Sequence, residues 1–159
     1  MRRLLPVALA AALAFVPSSV LGQVDLGGQF NWGTKDASLA LGARLSWVLP
    51  FETGTSMIGT FDYFFPDDFD LWEVNINLAH TFPVNIEDFG PYVGAGFNWA
   101  HLSNLGLLDR SDDRFGMNVL AGFKYFLSSV TPYGEVRAEL GGGKRWVFTA
   151  GVLFDIGVN

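Results

Sequence analysis

The sequence contains no cysteine and few charged residues, 16% of the chain. The absence of cysteine excludes a disulfide framework and a thiolate metal site. Bases are outnumbered by acids, 10 to 16, which argues against a nucleic-acid partner because such a partner requires a basic face. What the chain has in abundance is hydrophobic residues, at 50%, together with 19 glycines. That composition excludes a disordered or collagen-like chain, and 159 residues suffice for one domain.

The first 22 residues have the pattern of a secretory signal peptide. Arg2 and Arg3 supply a positive start, residues 4–16 form an apolar run, and residues 20–22 offer a cleavage site before Gln23. The apolar run is shorter than the roughly 20 residues that a membrane-spanning helix needs. We therefore predict an exported chain with a signal peptide at 1–22 and a single β-barrel domain at 23–159.

From Val24 onward, apolar residues alternate with polar or small ones. One such run places Leu39, Leu41, Ala43, Leu45 and Trp47 on one face, and Ala40, Gly42, Arg44 and Ser46 on the other. Alternation with a period of two is the pattern of a β-strand. Eight runs of this kind follow one another, most of them close to the ten residues with which a tilted strand crosses a bilayer. The pattern predicts an all-β fold, an eight-stranded antiparallel up-and-down transmembrane β-barrel.

The chemistry of the two faces distinguishes a lipid-facing wall from a soluble one. A soluble barrel points its apolar face inward and its polar face to water. Here the more polar face consists mostly of Gly, Asn and Ala, whereas the apolar face carries aromatic residues near the strand ends. Aromatic girdles around an aliphatic band are typical of a membrane barrel. The predicted girdle is Trp32, Trp47, Tyr63, Phe65, Trp72, Phe82, Trp99, Tyr125 and Trp146. A secreted soluble barrel that binds a small apolar ligand is the alternative.

A small number of ionisable residues lie on the inward face. Because a buried charge requires a partner, we expect them to form an ionic network across the lumen. An eight-stranded barrel is just wide enough to be filled by side chains, so the network predicts a closed barrel and not a pore. Its predicted members are Arg44, Asp62, Glu73, Lys124, Glu135, Arg137, Glu139 and Asp155. The stretch Gly141–Arg145 is interpreted as a flexible hairpin whose basic tip touches lipid phosphates.

Three stretches resemble a known family, the small outer-membrane β-barrel proteins of OmpA/OmpX-like type. They are Gly90-Pro91-Tyr92-Val93-Gly94-Ala95-Gly96, the segment Phe115–Phe126, and Pro132-Tyr133-Gly134-Glu135-Val136-Arg137. The resemblance implies an eight-stranded barrel in the outer membrane with both termini on the periplasmic side, and it implies no single activity. Barrels of this family commonly end in an aromatic residue, whereas this sequence ends in Asn159.

One motif has the residue types of an esterase. His101 and Ser103 share the outward face at the predicted outer rim, so His101 can act as base for a Ser103 nucleophile, with Asp113 as the orienting acid. The motif His101-Leu102-Ser103-Asn104 resembles the His-x-Ser-Asn of the outer-membrane lipid A deacylases. In that family the motif lies close to the C-terminus, whereas 55 residues follow Asn104 here. The alternative is a strand end that passes into a polar loop, with His101 at the headgroup boundary.

No motif in the sequence predicts a metal or a cofactor. The acidic stretches 67–70 and 109–113 lack the glycine turn and the terminal glutamate of a calcium loop. We expect a monomeric, non-catalytic outer-membrane protein with a structural or surface-interaction role. The expected partners are outer-membrane lipid and lipopolysaccharide, the periplasmic chaperones and the barrel insertion machinery, with no nucleic acid.

Overall fold

A computed structural model describes residues 23–34, 38–50, 52–66, 70–103, 111–141 and 144–156. The predicted signal peptide, the chain end at 157–159 and parts of several loops lie outside these ranges. The strands are β1 Val24–Gly33, β2 Leu39–Val48, β3 Thr55–Phe64, β4 Asp70–Thr81, β5 Phe89–Ser103, β6 Asp112–Tyr125, β7 Val130–Leu140 and β8 Arg145–Asp155. In the described part of the chain, no helix is long and apolar enough to cross a membrane.

The eight strands form one closed barrel in which every strand pairs with its neighbours in sequence. The first and last strands close it, with Leu26 opposite Phe154 and Trp32 opposite Phe148. All of the pairs are antiparallel, and antiparallel neighbours need only short hairpin connections. The predicted eight-stranded antiparallel up-and-down barrel is therefore confirmed.

The two ends of the barrel carry different features. We call the end where β1 begins and β8 ends the periplasmic end, as the family resemblance implies, and the opposite end the outer end. β5 and β6 are the longest strands, with 15 and 14 residues, and they remain paired as far as Leu102 opposite Asp112. Their long pairing raises the wall at the outer end and places His101 and Asp113 on it.

The barrel is apolar outside and polar inside. Outward side chains in the middle of the wall are well exposed, as with Leu41 at 59% and Phe97 at 67%. Inward side chains such as Arg44, Glu73 and Arg137 are fully buried. A soluble barrel with an apolar ligand requires the opposite arrangement, so that alternative is wrong. Exposed apolar area costs about 25 cal/mol per Å² in water, and a bilayer removes that cost.

Two apolar layers lie inside the barrel, one on each side of the polar groups. The outer layer consists of Ala40, Phe64, Leu71, Ala100, Leu102 and Val147. The layer nearer the periplasmic end consists of Ile58, Ala79, Tyr92 and Leu120. Because all of these side chains are buried and interleaved with buried polar ones, side chains fill the interior at both levels.

Candidate functional site

The outer half of the lumen holds three carboxylates around two arginines. Arg137 Nε lies 3.1 Å from Glu139 Oε1. Its Nη2 lies 3.5 Å from Asp62 Oδ2 and 3.8 Å from Glu73 Oε1. Arg145 contacts both Glu73 and Glu139. Each acid therefore lies close to a guanidinium, and the cluster connects β3, β4, β7 and β8 across the interior.

Arg145 corrects the interpretation of Gly141–Arg145 as a hairpin with a basic tip. Its side chain is 9% exposed and turns into the lumen, with Cζ 4.3 Å from the ring centroid of Phe64. The reason is strand phase, since Arg145 begins β8 on the same face as Val147 and Thr149, which are buried. The predicted network had one arginine, Arg137, beside three acids in this half of the lumen. Arg145 is the second cation there. Of the two basic residues, Lys144 is the exposed one.

Asp62 is held by amides and a hydroxyl as well as by Arg137. Its Oδ1 accepts hydrogen bonds from Gln29 Nε2 at 2.5 Å and from Asn31 Nδ2 at 2.7 Å. Its Oδ2 accepts from Thr60 Oγ1 at 3.2 Å and from Asn75 Nδ2 at 3.4 Å. These hydrogen bonds satisfy the lone pairs of the Asp62 carboxylate that the Arg137 guanidinium, 3.5 Å away, does not satisfy. These neutral partners were not among the predicted members of the network, although each of them has the inward phase of its strand.

In the periplasmic half of the lumen, Arg44 is the central residue. Its Nη1 donates to Glu135 Oε2 at 2.8 Å, and Tyr92 Oη donates to the same oxygen at 2.7 Å. Arg44 Cζ also lies 4.3 Å from the ring centroid of Tyr133, a cation–π distance. The guanidinium is thus held by a carboxylate and an aromatic ring, as burial of a charge requires.

Both of these tyrosines lie flat against a glycine on the neighbouring strand. A Cβ atom at Gly122 would come within 2.6 Å of Tyr92 Cζ, and one at Gly151 within 2.6 Å of Tyr133 Cζ. Only glycine allows this close approach, so the glycines opposite the two tyrosines position the rings that hold Arg44.

Two predicted members of the network differ from expectation. Lys124 is buried, with Nζ 5.5 Å from the ring centroid of Tyr92, but among the described residues it forms no ion pair. Asp155 is exposed at the periplasmic end and does not lie in a buried layer. Both residues lie toward the periplasmic end of the barrel, beyond the layer that contains Tyr92 and Leu120.

The aromatic girdle lies on the outward surface at both ends of the strands. Trp47, Phe82 and Tyr125 are near the periplasmic end. At the outer end are Trp32, Tyr63, Phe65, Trp72, Trp99 and Trp146. Two pairs of outer rings pack together, with 4.9 Å between the ring centroids of Trp72 and Trp99 and 5.2 Å between those of Tyr63 and Phe65. This distribution is the one that anchors a barrel at two membrane interfaces.

The rim motif brings together two of its three residues. His101 and Asp113 are directly opposite in the β5–β6 register, and His101 Nδ1 lies 2.7 Å from Asp113 Oδ1. Trp99 Nε1 donates to the same carboxylate oxygen at 3.2 Å, and the Trp72 ring stacks on His101 at 5.1 Å. Ser103 lies two residues beyond His101, opposite Asp70, and in the described part of the chain no hydrogen bond joins it to His101.

The His101–Asp113 contact has a chemical consequence. A carboxylate on Nδ1 fixes the orientation and tautomer of the imidazole and leaves Nε2 free to accept a proton. The pair is only partly exposed, with 26% of the His101 side chain and 52% of the Asp113 side chain accessible. The rim therefore carries an oriented base on the lipid-facing side of the wall.

Comparison with known proteins identifies the fold. No family model and no curated protein matches the sequence. The N-terminal β-barrel domain of Pseudomonas aeruginosa OprF is similar in structure, with a TM-score of 0.73 at 16% identity over 86% of this chain and 98% of that one. Neisserial surface protein A (NspA) has a TM-score of 0.65 at 14% identity, over 84% of this chain and 96% of that one.

The same fold also occurs in an enzyme. The outer-membrane enzyme PagL has a TM-score of 0.53 at 13% identity, over 84% of this chain and 99% of that one. Because one fold serves an enzyme as well as other surface proteins, the activity of this chain depends on its own residues. The chain has the fold of the small outer-membrane β-barrels, and its lipid-matched wall agrees with the outer-membrane location that the sequence predicts.

Proposed function

We propose that this protein is a monomeric, integral outer-membrane barrel that does not conduct and that acts through its outer surface in a structural or interaction role. Its wall binds outer-membrane lipid and lipopolysaccharide, and it reaches the membrane through periplasmic chaperones and the insertion machinery. Parts of the outer loops, at 35–37, 67–69, 104–110 and 142–143, lie outside the described residues.

The packed lumen is the observation that carries the proposal. Arg44 and Arg137 are both fully buried, and each extends from the wall to a carboxylate on another strand. A solute would have to displace these ion pairs and the two apolar layers. A barrel closed in this way has its accessible chemistry at its ends and rim, which supports a surface role over a transport role.

We expect the purified barrel to show no steady single-channel conductance in a planar bilayer. The side chains of Arg44, Tyr92 and Leu120 fill the periplasmic half of the lumen, so we expect ions to find no continuous water path. Folding is checked on the same sample by the heat-modifiable shift in gel mobility of a closed barrel. Steady conductance by fully folded protein would contradict the proposal and would favour diffusion of small solutes.

A second candidate function is ester hydrolysis at the outer rim, favoured by the 2.7 Å contact between His101 and Asp113. In this reaction Ser103 Oγ attacks an acyl ester carbonyl of an outer-leaflet lipid while His101 Nε2 takes the hydroxyl proton. The lipid alcohol then leaves with that proton, and water hydrolyses the acyl-serine to release a fatty acid. Rotation of the Ser103 side chain toward His101 is required, because the two are not hydrogen-bonded.

The two functions are distinguished by mass spectrometry of lipid A after incubation of the folded barrel with lipopolysaccharide vesicles. If the rim is an esterase, the wild-type protein removes an acyl chain, whereas Ser103→Ala reduces the rate by at least about a thousandfold. Ser46→Ala, which changes a buried lumen serine, is the matched control and is expected to leave the rate unchanged. Unchanged lipid A with the wild-type protein would eliminate this candidate.

A further inference from the structure

The periplasmic mouth of the barrel contains a pocket that the surface role does not use. Its volume is about 620 Å³, and its lining includes Asp25, Ser56, Lys124 and Phe126. The pocket is closed at its inner end, because Ile58, Tyr92 and Leu120 form a buried layer there. It is therefore a closed-ended cavity that opens to the periplasmic side and not the entrance of a channel.

Two opposite charges lie in this pocket without a direct ion pair between them. Lys124 is 5% exposed and Asp25 is 7% exposed. No ion pair within 4.0 Å joins them, and Lys124 forms none with any other described residue. The Asp25 carboxylate accepts a hydrogen bond from Gln23 Nε2 at 3.1 Å through Oδ1. Burial without a direct partner is costly for both charges, so a group that bridges them stabilises the site.

The rest of the pocket is suited to an apolar group. Val84 and Phe126 line its apolar side. Gly90 allows the Phe126 ring to lie close to the strand, since a Cβ at that position would come within 2.7 Å of Phe126 Cε2. The pocket thus combines a fixed cation, a fixed anion and the Phe126 ring, which is a common composition for a small-molecule site.

We infer that this pocket binds a small zwitterion, an α-amino acid with an apolar side chain, from the periplasmic side. The Lys124 ammonium holds the ligand carboxylate, and the Asp25 carboxylate holds the ligand ammonium. The Phe126 ring takes the side chain. A ligand with only one of the two charges leaves the opposite pocket charge buried and unpaired, and so it binds more weakly.

The test measures dissociation constants by calorimetry on the folded mature barrel in detergent, with three matched probes. L-phenylalanine carries both charges, 3-phenylpropionate lacks the ammonium, and 2-phenylethylamine lacks the carboxylate. We expect L-phenylalanine to bind at least about tenfold more tightly than either of the other two. Glycine, which lacks the side chain, is expected to bind more weakly than L-phenylalanine.

Variants assign the binding to the pocket. Lys124→Met is expected to remove the preference for L-phenylalanine over 2-phenylethylamine, and Asp25→Asn to remove the preference over 3-phenylpropionate. Lys144→Met and Asp112→Asn remove the same charge types near the outer end and are expected to leave all constants unchanged. The inference is overturned if no probe binds at millimolar concentration, or if neither pocket variant changes the order of affinities.

Discussion

The variant Arg137→Ala is expected to lower the free energy of unfolding by about 3–5 kcal/mol. Arg137 is fully buried and is the shared partner of Glu139, Asp62 and Glu73. Its removal leaves Glu73 and Glu139 buried with Arg145 as their remaining cation, and leaves Asp62 with its neutral hydrogen-bond donors. The loss therefore reflects uncompensated buried charge more than the strength of any single ion pair. Denaturant titration of the barrel refolded in lipid vesicles measures it.

An exposed ion pair on the same protein provides the matched control. Arg114 Nε lies 2.9 Å from Asp112 Oδ2, but 40% and 49% of the two side chains are exposed. Arg114→Ala is expected to cost about 0.2–1 kcal/mol, because water screens such pairs. The double variant Arg137→Ala with Glu139→Gln removes one of the stranded charges and is expected to recover part of the loss. Equal small losses for Arg137→Ala and Arg114→Ala would show that the lumen is hydrated.

The second large effect is expected on the outer wall. Val119 lies in the middle of β6, faces outward and is 52% exposed. A charge placed at mid-bilayer on a lipid face costs about 2–4 kcal/mol, so Val119→Arg is expected to destabilise the folded barrel in vesicles by that amount. The same denaturant titration reports the change.

Two control variants distinguish the effect of the charge from the effects of side-chain length and of position within the bilayer. Val119→Met has a side chain of similar length without the charge, and it is expected to cost less than about 1.5 kcal/mol. Tyr125→Arg lies on the same face at the periplasmic end of β6, where the cost of the charge falls to about 0–1 kcal/mol. If all three variants are equally stable, the outward face of β6 does not contact lipid.

The order of the strands and the direction of each side chain were predictable from the sequence. Alternation alone places Leu41 outward and Arg44 inward, because successive side chains on a strand point to opposite faces. Eight sequential runs with short connections then leave few topologies other than the up-and-down barrel. The aromatic belt and the polar interior follow from the same alternation.

Contacts across the lumen were not predictable in the same way. Alternation gives the face of a residue, but its height and its angle around the axis depend on the register of all eight strand pairs. Arg44 and Glu135 are 91 positions apart and meet only because the barrel closes. The glycines that accommodate the rings of Tyr92 and Tyr133 likewise take their role from strand register.

The sequence by itself therefore determined which side chains face lipid and which fill the interior, since a period of two fixes direction wherever a strand forms. Only the tertiary structure decided that Arg145 meets Glu73 and Glu139 inside the lumen, and that Lys124 lies in a pocket with Asp25. Each of these depends on distances between strands that are remote in sequence, and the hydrogen-bond register of the closed barrel sets those distances.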